Sequence, residues 1–128
     1  MFSVAVDFDG TLVEDKFPEI GEPKRDVIRL IKRLKNCGVR LILWTCRKDD
    51  NNEKHLERAV QWCKRHGLSF DAVNENLPEV QEKWGGDTRK VLADYYLDDK
   101  AVGADFMMPY LELLAEKAER EYYRKSGA

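Results

Sequence analysis

The sequence predicts an α/β fold in which a mostly parallel central sheet lies between layers of helices. Three observations carry that reading. Short apolar runs alternate with amphipathic stretches at helical spacing, the pattern of successive β-α-β units. Glycine or proline punctuates most changes of period. No repeat, linker or low-complexity stretch interrupts the 128 residues, so 1–128 reads as one domain, long enough to bury a single core.

The elements follow in order. FSVAVD (2–7) is short, apolar and rich in β-branched residues, and reads as a buried strand. GTLVEDKFPEIGEP (10–23) is dense in turn formers and reads as a loop or small hairpin. From about Asp26 to Cys37, Val27, Ile28, Leu30, Ile31 and Leu34 recur at helical spacing, with Pro23 near the start and Gly38 past the end. VRLILW (39–44) is apolar almost throughout, as expected of a strand covered on both faces. A second helix is predicted over about Glu53 to His66, stopped by Gly67, and a short third strand over SFDAVN (69–74). Residues 75–88 are polar, carry Pro78 and Gly85-Gly86, and read as a long irregular loop. ADYYLDD (93–99) is the fourth strand, and a last amphipathic helix covers about Pro109 to Arg124.

Composition narrows the functional classes. Hydrophobic residues are 43% of the chain and charged residues 36%, a globular core under a heavily solvated surface. A net charge of -2 gives no electrostatic reason to expect nucleic acid or an anionic membrane. The basic cluster KRLK (32–35) sits at helical spacing among acids and reads as a solvated helix face. Cys37, Cys46 and Cys63 are odd in number and lack CxxC spacing, which argues against a disulfide framework or a zinc site and fits a reducing cytosol. No apolar stretch has membrane-spanning length and no signal-type segment opens the chain. The expectation is a cytoplasmic protein.

Ligands of open parallel sheets bind beyond the carboxyl ends of the strands. Those ends carry Asp7 and Asp9 after the first strand, Thr45 and Arg47 after the second, Asn74 after the third, and Asp98 and Asp99 after the fourth. One strand-end aspartate is ordinarily a turn former or helix cap. Two pairs of them, with Gly-Thr after one and Thr-x-Arg on another strand, make a site. Crowded carboxylates without a cysteine or histidine cluster suit a hard cation, magnesium above all, which usually works on a phosphate.

The motifs that carry these residues resemble those of the haloacid dehalogenase superfamily. DFDGTL (7–12) looks like its first motif, D-x-D-x-[TV]; Thr45, Lys90 and LDD (97–99) are similar to its second, third and fourth, in family order over essentially the whole chain. The resemblance implies a Rossmann-like core and a phosphatase. Asp7 would be the nucleophile that forms an aspartyl-phosphate. Asp9 would protonate the leaving group and then activate water, and an acid at that position is the mark of the phosphatases in the family. Mg2+ would be held by Asp7, the Asp9 carbonyl and Asp98, with Asp99 as ligand or support. Thr45, Lys90 and the backbone N–H groups from Phe8 to Gly10 would hold the phosphoryl oxygens, with Arg89 or Lys83 as alternatives to Lys90.

Neither gap between motifs has room for a cap domain, so the site should be open and acts on a phosphorylated substrate, small or macromolecular; a homo-oligomeric partner could complete it. Arg47 and Lys16 are candidate substrate contacts, the first from its place beside Thr45, the second from the segment 13–22 that follows Asp9. Trp84 either stacks on a substrate ring or packs on the domain. Trp44 and Trp62 read as core, Tyr95 and Tyr96 as packing on opposite faces of a strand, and His55 and His66 as surface residues. Two other classes stand beside the phosphatase: a receiver-like signalling module, disfavoured because the third strand ends on Asn74 rather than an aspartate, and a non-catalytic phosphate binder.

Overall fold

The computed structural model describes residues 1–127. Its order is β1 (Ser3–Val6), α1 (Arg25–Asn36), β2 (Arg40–Leu43), α2 (His55–Arg65), β3 (Ala72–Val73), α3 (Pro78–Trp84), β4 (Tyr95–Leu97) and, after a 3-10 turn at Ala104–Phe106, α4 (Met107–Ser126). The four strands form one sheet in the order β3-β2-β1-β4, every pair parallel, with Ser3 opposite Arg40 and Val4 opposite Tyr95. The expected α/β class is therefore the observed one.

Alternation along β1 builds the layers. Val4 and Val6 face a core shared with α1, α2 and α4, through Leu30, Ile31 and Leu34, Ala59 and Cys63, and Leu111 and Ala115. Ala5, between them, faces the other way with Ile42 and Ala72, against Leu77 and the segment carrying Val91 and Ala93. Three helices cover the first face. Among the described residues the second has only short α3 and that segment, so its cover is thin. Both faces are nonetheless buried, which is why β1 and β2 read as near-continuous apolar runs.

Three local expectations need correction. Residues 75–88 are not irregular throughout: Pro78 opens α3 and Gly85, at φ 74°, closes it. The third strand shrinks to two residues, because the Asp71 carboxylate rather than a backbone carbonyl takes the Leu41 N–H and Asn74 turns the chain at φ 52°. The last helix starts two residues early, at Met107, on the 3-10 turn. Trp62 is buried as expected and packs edge-on against Phe8, while Tyr95 meets Phe2 and Tyr96 turns to the other face to donate to the Val91 carbonyl. His66 is stacked on Trp62 at 3.7 Å rather than free at the surface.

Candidate active site

The order β3-β2-β1-β4 makes β1 the strand from which the chain winds first one way and then the other. The crevice between the carboxyl ends of β1 and β4 is that reversal point, where open α/β sheets hold their ligands. Asp7 leaves β1 there, its N–H bonded to the Leu97 carbonyl, and Asp98 and Asp99 leave β4 beside it. Carboxylate oxygens of Asp7, Asp98 and Asp99 lie within 4.8 Å of one another. Three like charges so close are unfavourable unless a cation or proton intervenes. Burial first, then a hydrogen bond with Asp99, then the charge of Asp98, push the Asp7 carboxyl up from 3.8 to about 7. Asp99 is held below the usual carboxylate range by its hydrogen bond with Asp7 and by Lys100, against its own burial.

Thr11, the last residue of the D-x-D-x-T pattern, binds the two strand ends together. Its buried hydroxyl lies 3.2 Å from Asp7 Oδ2 and accepts the Asp99 N–H at 3.0 Å. Thr11 stands inside the motif, so the sequence marks the residue but not its distant partner. Gly10 is where the loop and Asp99 come closest: a Cβ there would run into the Asp99 carboxylate, and φ is +90°. Gly38, at φ +89°, has open space instead. Gly10→Ala should therefore cost about 1–3 kcal/mol more than Gly38→Ala in urea unfolding, the excess being overpacking alone. Equal losses would mean that the close approach has no energetic weight.

Arg47 is not positioned to touch a substrate. Its side chain is 1% exposed and its fork closes on Asp9, Nε to Oδ2 at 2.8 Å and Nη2 to Oδ1 at 2.9 Å. The remaining donors go to the carbonyls of Glu19, Pro18 and His55. Spacing from Thr45 placed Arg47 correctly at the site; its partner, far away in sequence, was hidden. Thr45 is set by the same neighbourhood. Its N–H donates to Asn74 Oδ1, Asn74 Nδ2 donates to the Arg47 carbonyl, and the Thr45 hydroxyl accepts the Arg47 N–H at 3.1 Å. Asn74 is thus the brace of this loop.

The cations fall elsewhere than expected. Asp94 is bonded to Ser3 at the start of β1, so the segment entering β4 lies toward the amino end of the sheet. Lys90 Nζ ends 5.4 Å from the Tyr96 ring centre and Lys83 Nζ 5.2 Å from that of Trp84. Among the described residues neither these nor Arg89 pairs with an acid of the site. The lysines at the cluster are Lys100, 3.5 Å from Asp99 and 3.8 Å from Asp15, and Lys24, which donates to the Gly10 carbonyl at 2.8 Å. Of the expected backbone donors, the Gly10 N–H is taken by the Val13 carbonyl and Phe8 serves as a buried wedge between Trp62 and Arg47. Lys16 is exposed on the segment 13–22, and Trp84 is exposed.

The donor set is oxygen only, anionic and gathered at a strand-end crevice, which fits a hard divalent cation. The residues that would hold it are Asp7, Asp98 and Asp99.

Fold and site together define an α/β protein with an acidic centre at the reversal point of a parallel sheet. No family model and no curated protein matches the chain. Among solved structures, a conserved protein coded by a locus from Bacteroides thetaiotaomicron is similar at 36% identity and a TM-score of 0.73, over 94% of this chain and 91% of that one. The chain belongs to the same family as that protein.

Proposed function

We propose that the protein is a magnesium-dependent phosphate monoester hydrolase of the capless haloacid dehalogenase type, working through an aspartyl-phosphate. The observation that carries this reading is the Asp7–Asp98–Asp99 cluster at the junction of β1 and β4, with the nucleophile candidate at its centre. A bound Mg2+ would neutralise the acids and the charge of the transferring phosphoryl group.

An Asp7 oxygen attacks phosphorus, and the bond to the leaving oxygen breaks with its electron pair staying on oxygen. Water then attacks the phosphorus of the aspartyl-phosphate, releasing inorganic phosphate and restoring Asp7. Asp9 supplies the proton to the leaving oxygen and takes one from the water. Each carboxylate oxygen has two lone pairs, so the Arg47 fork leaves one on each for that proton. Arg47 is a positioning residue here, fixing Asp9. The Thr45 hydroxyl, already accepting from Arg47, keeps its O–H free to donate to a phosphoryl oxygen. Lys100 is better placed than Lys90 to meet the phosphate charge, and Lys24 holds the Gly10 turn.

A receiver-like module is less well supported, because Asn74, where an acceptor aspartate would stand, is engaged in bracing Thr45 and Arg47. The test is hydrolysis of an aryl phosphate with Mg2+ and with excess chelator. Turnover that rises with Mg2+ and disappears with chelator is the expected result. A protein that binds Mg2+ by calorimetry yet turns over no aryl, alkyl or protein phosphate would remove the reading. Among the described residues no helix is long and apolar enough to cross a membrane.

A further inference from the structure

We propose that Phe17 is a positioning residue for Asp9: its ring closes the solvent side of the Arg47–Asp9 pair and so fixes the carboxyl that serves the leaving oxygen. The inference rests on the hydrolase reading above and adds to it a side chain outside the motifs.

The guanidinium of Arg47 has edges and faces. Its edges are satisfied by five oxygens, the two of the Asp9 carboxylate and the carbonyls of Pro18, Glu19 and His55. The faces are left to apolar cover, and two rings supply it. Phe8, wholly buried, has its centre 5.2 Å from Arg47 Cζ, and Phe17 has its centre 5.1 Å away. Phe17 is itself 53% exposed, whereas the Arg47 side chain is 1% exposed. The Phe17 ring is thus the outermost layer over the ion pair, a single side chain thick. It is held there from two sides. The His55 ring meets it at 5.0 Å and 60°, and the next two residues, Pro18 and Glu19, give their carbonyls to Arg47. Three consecutive residues of the segment 13–22 therefore converge on one guanidinium.

The consequence is electrostatic. Two charges kept from water attract more strongly, because the local dielectric constant is lower. A cation against an aromatic face is further held by the ring quadrupole. Arg47 is thereby confined to one place, and its planar fork passes that confinement to Asp9. Asp9 keeps 16% of its side chain exposed, the part that a leaving group can reach. Its exact placing counts most where a proton is most needed. Phenolate must be protonated as it departs, whereas p-nitrophenolate is stable enough to leave as the anion.

The test is kcat/KM of the wild type, Phe17→Leu and Phe17→Tyr with Mg2+ on phenyl phosphate and on p-nitrophenyl phosphate. This ratio reports only the steps up to transfer onto Asp7, so hydrolysis of the intermediate does not mask the effect. Phe17 is half-exposed and outside the core, so both variants should keep the wild-type circular dichroism. Phe17→Leu should lose at least about tenfold on phenyl phosphate and much less on p-nitrophenyl phosphate. Phe17→Tyr, which keeps the ring face, should match the wild type on both. In urea unfolding, Arg47→Met should cost less in the Phe17→Leu background than in the wild type, since the covered pair is already loosened. Equal losses on the two substrates, no loss on either, a Tyr variant as impaired as Leu, or an unchanged cost of Arg47→Met each overturns the proposal while leaving the hydrolase reading intact. A wild type that hydrolyses neither ester instead removes that reading, and this role with it.

Discussion

Asp7→Asn is expected to slow hydrolysis of an aryl phosphate by at least about 10³-fold, as loss of a nucleophile does. The same protein should melt at a higher temperature than wild type at pH 8 without metal. Both effects come from one carboxyl group. In the folded protein it binds its proton up to about pH 7, raised by burial and by Asp99 and Asp98, whereas in the unfolded chain it ionises near 3.8. The folded state therefore holds the proton more tightly. The stability this group contributes is complete below about pH 4 and is lost as pH rises through 7. An amide has no charge to bury, so the variant is spared that loss. Melting curves at pH 5 and pH 8, with and without Mg2+, are the measurement. The wild type should lose more between the two values than Asp7→Asn when metal-free, and added Mg2+ should close the gap. Unchanged turnover would remove Asp7 as nucleophile. Equal pH sensitivity of the two proteins would remove the crowded acid cluster as its cause.

Arg47→Met should lower stability by about 3–5 kcal/mol, the usual result of removing one partner from a buried ion pair. Arg47 is buried, and its removal leaves the Asp9 carboxylate without its two donors and the carbonyls of Pro18, Glu19 and His55 without theirs. Arg47→Lys should recover little, since an ammonium cannot reproduce a planar fork that meets a carboxylate and three carbonyls at once. Adding Asp9→Asn to Arg47→Met should recover part of the loss, because the uncompensated charge is then gone. Urea unfolding of the wild type, Arg47→Met, Asp9→Asn and the double variant gives the coupling directly. A loss under about 1 kcal/mol for Arg47→Met would mean that the pair is held loosely and Asp9 is free to move.

The legible parts of the fold were those whose burial repeats. α1 shows Val27, Ile28, Leu30, Ile31 and Leu34 on one stripe, and all are buried. α3 leaves no such trace, because none of its seven residues is buried and its only signals are Pro78 at its first position and Gly85 after it. β3 was overestimated because a side chain, that of Asp71, does part of the work of a strand. At the site, the aspartates were legible because strand ends in a parallel sheet share one edge, a property of topology rather than of neighbours. Pairing was not. Arg47 finds Asp9 from 38 residues away, and Thr11 reaches Asp99 from 88. Lys90 stood in the right order along the chain, yet order does not reveal that the segment before β4 runs back to the amino end of the sheet. Lys24 and Lys100 likewise reach the cluster through the fold, which their places in the sequence do not show.

A lid that swings must let go of something. The segment 13–22 is fastened through its Pro18 and Glu19 carbonyls to the guanidinium that grips Asp9, and at its base through Glu14 to Glu22 and Lys24 to Leu12. Raising it would strip bonds from Arg47 and unseat Asp9 in the same movement. This side of the crevice therefore behaves as a fixed wall. Access to the acid cluster is left to the β4 side, where half-buried Asp98 borders the groove that runs past Tyr96 and Tyr110.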